Sequence, residues 1–316
     1  MTEKTTKQQI TDAALAEVAA QVLTAEFPAR MFSVPVLIGR GTVSTVYRAD
    51  SDGEAFAVKL HPAEVDVISE YEREEYERER RWTERAAAIS IPCPRIFAVG
   101  WLEGTAYSIQ SFIAGVNGLE SSVDPLGIWK ELGQFAWLIN TISVDGADDK
   151  WQAYLGSVLA GLTGDDAGTT HELYAAHQRD DLRHVFEKLS SLPLRYGLSH
   201  CDLHPRNTVV TPEGRVVLLD WGAISRDINL VPHVNLGLLL WDLEPDDAPF
   251  RVFLAGYGLS KTEFDTLLPE VLAVDLVGCF WFSGPPHTEF EHELVARVRR
   301  LIAAYLPMLA AWASRP

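Results

Sequence analysis

Cysteine is scarce in this chain. Cys93, Cys201 and Cys279 are odd in number and far apart, which excludes a disulfide-stapled scaffold or a cysteine-rich zinc module and fits a reducing cytoplasm. Long apolar runs are also missing. The most hydrophobic stretches, residues 236–241 and 271–282, are short or broken by Asp275, so no membrane span of about 20 residues is expected. The first 26 residues have neither the basic start nor the apolar run of a signal peptide. No segment is repeated or of low complexity. Basic residues are outnumbered: 27 Lys and Arg against 44 Asp and Glu give a net charge of −17. That balance argues against nucleic acid, which needs a cationic surface. It suits a cationic small molecule, and equally serves solubility.

What is present is a chain of 316 residues, 47% hydrophobic, enough for a full core in two lobes. Residues 12–23 read as an amphipathic helix leading to Pro28. Next, Leu37-Ile38-Gly39-Arg40-Gly41-Thr42-Val43-Ser44-Thr45-Val46 starts as a strand, passes two glycines and resumes as a strand. Glycine lets backbone approach phosphate oxygens, and Ser44 and Thr45 add hydroxyl donors. A second hairpin turns at Ser51-Asp52-Gly53 and rises through Ala55-Phe56-Ala57-Val58-Lys59-Leu60, an alternating strand that presents a lysine near its end. Such a lysine either lies along the surface or meets a buried partner.

Between Glu70 and Arg85 lie seven acidic and five basic residues, a helical charge pattern that is mostly solvated. The spacing Ile68, Glu72, Glu75, Glu79, Trp82, Ala86 puts Glu75 and Glu79 on the stripe that ends in apolar residues. A carboxylate turned inward there needs a cation, and Lys59 is the candidate. Glu79 is favoured, with Glu75 as the alternative.

Residues 200–207, His-Cys-Asp-Leu-His-Pro-Arg-Asn, and 218–222, Leu-Leu-Asp-Trp-Gly, supply a carboxylate, an amide and a second carboxylate. Phosphoryl transfer needs these parts: a base for the attacking hydroxyl and oxygen ligands for the magnesium that neutralises the phosphates. Pro205 bars regular helix inside the loop, and residues 211–214 form a turn between strands that end near Asp220. A hydrolytic metal site at His200, Asp202 and His204 is the competing reading.

Together these segments resemble the aminoglycoside phosphotransferase and small-molecule kinase family, relatives of the protein kinases, from about residue 34 to about residue 254. The family pattern His-Gly-Asp-Leu-His-Pro-Gly-Asn is similar to residues 200–207, with Cys201 and Arg206 where glycines usually stand. The resemblance implies Asp202 as catalytic base, Asn207 and Asp220 as Mg2+ ligands, and Lys59 on the phosphates of ATP (or GTP) with Glu79 as its partner. It places Gly39, Gly41, Ser44 and Thr45 around those phosphates. Residues 107–115 become the last N-lobe strand and hinge, with Gln110, Ser111 and Phe112 as nucleotide-binding candidates and a backbone amide and carbonyl that would hold the base edge. Arg206 either stabilises phosphate charge or faces solvent.

The expectation is an α+β, protein-kinase-like two-lobe fold. Residues 1–113 form an N-lobe with an N-terminal helix and a small antiparallel sheet, and residues 114–316 a mainly helical C-lobe. Trp241 and Asp242, in an aromatic and acidic cluster, are candidate contacts for a hydroxyl-bearing acceptor, with an aminoglycoside-like antibiotic as the expectation. Rival readings are a housekeeping kinase for a sugar, amino alcohol or amino acid, and a non-catalytic nucleotide-binding regulator.

Overall fold

Period-2 alternation of apolar residues builds the main sheet. In the computed structural model, which describes residues 11–41, 44–62, 70–102, 104–142, 149–163, 173–193, 196–223, 225–228, 247–280 and 289–315, five antiparallel strands run in the order β1–β2–β3–β5–β4. They are β1 Val36–Arg40, β2 Thr45–Ser51, β3 Glu54–Pro62, β4 Ile96–Leu102 and β5 Thr105–Ser111. The turn between β2 and β3 places Asp52 and Gly53 at φ 52° and 79°, as a two-residue hairpin of type I′ demands.

Helix α1, Asp12–Glu26, starts at Thr11, whose hydroxyl accepts from the Ala14 amide. Its buried stripe of Leu15, Ala19, Val22 and Leu23 packs on Tyr47, Phe56, Val58, Leu60 and Ile109 of the sheet. Each fully buried Val, Leu, Ile or Phe among them contributes about 1.5–3 kcal/mol. Because strand side chains alternate, Val46, Arg48, Ala57, Lys59, Ser108 and Gln110 fall on the opposite face.

Helix α2, Glu70–Ala88, packs on β4 and β5. Its buried positions are Tyr76, Glu79, Thr83 and Ala86. That stripe keeps Glu79 and Ala86 but replaces the Trp82 expected from sequence spacing. Trp82 is half-buried, with the Arg85 guanidinium 4.8 Å above its ring.

The chain divides into two compact units, residues 1–120 with 206–224, and residues 121–205 with 225–316. This differs from a division at 113/114, because long-range pairing returns two segments to the first unit. Strand β6, Val116–Asn117, pairs with β8, Thr208–Val210, which pairs with β9, Val216–Leu218. The Leu218 amide in turn donates to the Pro92 carbonyl at 2.8 Å. A Cβ at Gly115 would lie 2.3 Å from the Val210 carbonyl oxygen, so only glycine permits this approach.

The second unit is helical: α3 Pro125–Asn140, α4 Asp149–Thr163, α5 Arg179–Ser190, α6 Ala248–Tyr257, α7 Lys261–Cys279 and α8 Glu289–Ala313. Strands β7, Tyr196–Ser199, and β10, Ser225–Ile228, form an antiparallel pair beside them. Helices α3 and α6 touch backbone to backbone, since a Cβ at Gly256 would sit 2.0 Å from the Lys130 carbonyl oxygen. Among the described residues no helix is long and apolar enough to cross a membrane.

Candidate active site

Lys59 sits in the middle of β3 on the face away from α1. Its side chain is 11% exposed, and two carboxylates surround its ammonium: Asp220 Oδ1 at 2.6 Å and Glu79 Oε2 at 3.7 Å. The Tyr76 ring lies 5.8 Å away. Burial alone would push the lysine pKa down, but Glu79, Asp220, Tyr76 and the hydrogen bond to Asp220 outweigh it and raise the pKa above the ordinary lysine value. The ammonium is therefore a fixed positive charge. Glu79 is 2% exposed, so α2 carries it into the interior to meet this cation, as a buried carboxylate requires. The side chain of Glu75 lies outside the described residues. The contact with Tyr76 was not anticipated, although the i, i+3 spacing from Tyr76 to Glu79 could have signalled it.

Asp220 follows β9 by two residues and has φ 59°, a left-handed conformation unusual for a non-glycine residue. Trp221 behind it is fully buried, its indole N–H donating to the Leu218 carbonyl at 3.1 Å. The Arg78 guanidinium donates to the Gly222 carbonyl, tying α2 to the same segment. Asn207 ends a short 3-10 turn, Pro205–Asn207, and its carbonyl accepts from the Leu219 amide at 2.8 Å. The β8–β9 pair thus brings Asn207 and Asp220 to one end. Arg206 is exposed, and its carbonyl accepts from Asn117 Nδ2 at 2.8 Å.

The glycine-rich turn is closed by a hydrogen bond from the Gly41 amide to the Ser44 carbonyl at 2.7 Å. Gly39 faces open space, with nothing within 4 Å of a Cβ built on it. Thr45 opens β2 and is buried. At the end of β5 two backbone amides are engaged by the protein: Ser111 N–H donates to the Arg95 carbonyl at 2.8 Å and Phe112 N–H to the Ala55 carbonyl at 3.0 Å. The Arg48 guanidinium lies 4.6 Å above the Phe112 ring. The side chain of Gln110 is partly exposed on the Lys59 face.

Asp202 belongs to the second unit. It is half-buried in the loop after β7, preceded by Cys201 at φ 63° and flanked by the buried His200, Leu203 and His204. His204 packs edge-on against Trp129, ring centroids 5.4 Å apart. Among the described residues no group of three or more His, Cys, Asp and Glu could hold a metal, so the hydrolytic reading of His200, Asp202 and His204 has no geometric support. Trp241 and Asp242 lie outside the described residues.

The structure thus holds a buried lysine between a helix carboxylate and a carboxylate just past a strand end, an arrangement of the kind that phosphoryl-transfer folds use. The chain belongs to the phosphotransferase enzyme family, whose model matches residues 36–269. The fold is α+β and protein-kinase-like, and the class of enzyme is a small-molecule kinase. No curated protein sequence matches the chain significantly. Among solved structures it is similar to an ethanolamine kinase of Plasmodium vivax, at TM-score 0.60 and 14% identity, over 95% of this chain and 90% of that one. It is similar to the aminoglycoside phosphotransferase APH(4)-Ia at TM-score 0.59 and 13% identity, over 95% and 100%. A spectinomycin phosphotransferase, APH(9)-Ia, solved with ADP and spectinomycin, matches at TM-score 0.53 and 16% identity, over 97% and 99%.

Proposed function

We propose that this chain transfers the γ-phosphate of ATP or GTP to a hydroxyl of a small cationic molecule, an aminoglycoside-like antibiotic, in the cytoplasm, and so confers resistance. The observation that carries the nucleotide reading is the buried Lys59, poised between Glu79 and Asp220. Lys59 would bind phosphate oxygens while Glu79 aims it. Gly39, Gly41, Ser44 and Thr45 would bring backbone and hydroxyl donors to the same oxygens. Asn207 and Asp220 form a donor set that fits magnesium, one amide oxygen and one carboxylate, hard oxygen donors that would hold the ion. Bound there, the ion would neutralise phosphate charge. Asp202 is assigned the proton of the acceptor hydroxyl on the strength of its motif.

A cationic acceptor is favoured by the net charge of −17, since acidic surfaces concentrate cations. An amino alcohol is the second reading, supported by the likeness to ethanolamine kinase. The test is phosphate transfer to a panel of aminoglycosides, amino alcohols, sugars and amino acids, with acceptor KM followed against ionic strength. A cationic acceptor's KM should rise as the Debye length falls from about 10 Å at 0.1 M to about 3 Å at 1 M salt. A neutral preferred acceptor, or a salt-independent KM, contradicts the cationic assignment.

A further inference from the structure

Gly39 and Arg40 owe their positions to a shift in the β1–β2 register. Leu37 stands opposite Tyr47, but Gly39 rather than Ile38 stands opposite Val46, and Arg40 opposite Thr45. In an unshifted antiparallel ladder Ile38 would stand opposite Val46, and Arg40 opposite Ser44. A slip of one residue reverses the face of every side chain beyond it. Val46 shares the Lys59 face, so the shift gives that face to Gly39 and turns Arg40 away from it, towards α1. The arginine beside the glycine-rich turn is thereby withheld from the phosphates.

What Arg40 meets instead is the first turn of α1. Its guanidinium is ion-paired with the Asp12 carboxylate, and the Tyr47 hydroxyl of β2 donates to the Asp12 carbonyl at 2.9 Å. Asp12 is thus tied by its side chain to β1 and by its backbone to β2, the two strands that the glycine-rich turn connects. The other end of α1 is fixed as well. The Tyr107 hydroxyl of β5 donates to Glu26 Oε1 at 2.5 Å, through a space that Gly100 leaves open, since a Cβ there would lie 2.3 Å from the Tyr107 oxygen. Between these ends run 15 helical residues, about 22 Å of helix, whose buried stripe packs on the sheet. Helix α1 therefore ties the turn to the body of the same sheet.

Resting on the nucleotide reading above, we propose that Asp12 is a positioning residue for the nucleotide: through Arg40 it moors the glycine-rich turn to α1 and holds the turn's backbone where the phosphates arrive. A turn bearing Gly39 and Gly41 has wide conformational freedom, and ordering it on binding lowers affinity unless it is ordered beforehand. The mooring orders it in the nucleotide-free protein. The Arg40 and Asp12 side chains are 53% and 50% exposed, so the pair has the modest strength of a surface ion pair and weakens with salt. Its effect on affinity is accordingly a few-fold. Asp12 lies ahead of residues 36–269, which match the family.

The experiment is calorimetric titration of the full chain with MgADP at low and high salt, for wild type, Asp12→Asn, Arg40→Gln, the double variant and Glu17→Gln, beside amide hydrogen exchange of the nucleotide-free proteins. At about 0.1 M salt Asp12→Asn and Arg40→Gln should each weaken MgADP about two- to fivefold. The double variant should lose no more than the weaker single, because both substitutions break one pair. Removing a negative charge by itself favours an anionic ligand, so a loss in Asp12→Asn has the opposite sign to a simple charge effect. Glu17→Gln removes the same charge from an exposed position of α1 and should bind no more weakly than wild type. At about 1 M salt, where the Debye length is about 3 Å, all should converge on wild type. The Gly41 amide, which closes the turn on the Ser44 carbonyl, should exchange faster in Asp12→Asn while the Ile109 amide of β5 is unchanged, a local effect that a loss of overall stability would not give. Unchanged or tighter MgADP binding by Asp12→Asn, additive losses in the double variant, an equal loss in Glu17→Gln, or unchanged Gly41 exchange overturns the mooring and leaves the kinase reading intact. Wild type that binds no MgADP overturns the nucleotide reading, and the mooring with it.

Discussion

Replacing Glu79 by glutamine keeps the shape of a buried side chain and removes its charge. Glu79 is 2% exposed and the Lys59 side chain 11%, so the pair is shielded from water and salt. Breaking a buried pair by removing one partner typically costs about 3–5 kcal/mol, because the remaining charge is left uncompensated. Here Lys59 keeps its 2.6 Å contact with Asp220, which is itself 45% exposed. The expected loss is accordingly smaller, about 1–3 kcal/mol. At about 2–4 °C per kcal/mol for a large domain, Tm should fall by roughly 2–12 °C. Asp220→Asn, acting on the solvated side of the same lysine, should cost less.

The sign of the pH dependence follows from Lys59. Its pKa is raised in the folded state, so the stabilisation is fully present below the unfolded lysine value of about 10.4 and is lost only as pH rises through the folded value. The Tm gap between wild type and Glu79→Gln should thus stay constant across neutral pH. Differential scanning calorimetry of the nucleotide-free protein reads all of this. An unchanged Tm in Glu79→Gln, or a larger loss in Asp220→Asn than in Glu79→Gln, would refute the buried-pair reasoning.

Two further outcomes follow from local chemistry. Cys201 holds φ 63°, a conformation that costs a side-chain-bearing residue roughly 1–2 kcal/mol and glycine nothing; Cys201→Gly, offset by the greater chain entropy of glycine, should be neutral to about 1 kcal/mol more stable in denaturant unfolding, and a clear loss of stability would contradict the strain reading. Burial pushes the Cys93 thiol up to about 11, leaving roughly 0.1% thiolate at pH 8, so mass-spectrometric alkylation should modify Cys93 slowly in the folded protein and quickly after denaturation, with rapid labelling of the folded form as the contrary result.

Much of the site was legible because each residue obeys a local period. Lys59 stands out as a charge inside an alternating strand, and Glu79 as an acid on the buried stripe of a helix. The turn at residues 211–214 announced the β8–β9 pairing: the Thr211 amide donates to the Arg215 carbonyl at 2.9 Å, and Gly214 takes φ 79°. What stayed hidden depends on partners distant in sequence. The hinge amides of Ser111 and Phe112 look available until Arg95 and Ala55 are placed beside them. Residues 206–224 join the first unit through the contacts of β8 with β6 and of Leu218 with Pro92, which no local pattern reveals. The indole of Trp82 reads as core by spacing, yet Tyr76 and Thr83 take the buried positions because the helix turns a slightly different stripe to the sheet.

Single-turnover phosphate transfer by Asp202→Asn, measured beside direct nucleotide titration of the same variant, decides whether this chain works as a phosphotransferase in the way proposed. Nucleotide affinity should stay near wild type, since the Lys59 cluster is untouched, while the transfer rate falls by about 10²- to 10⁴-fold, the usual worth of a general base. A variant that transfers phosphate at the wild-type rate would remove Asp202 from the chemistry and contradict the mechanism.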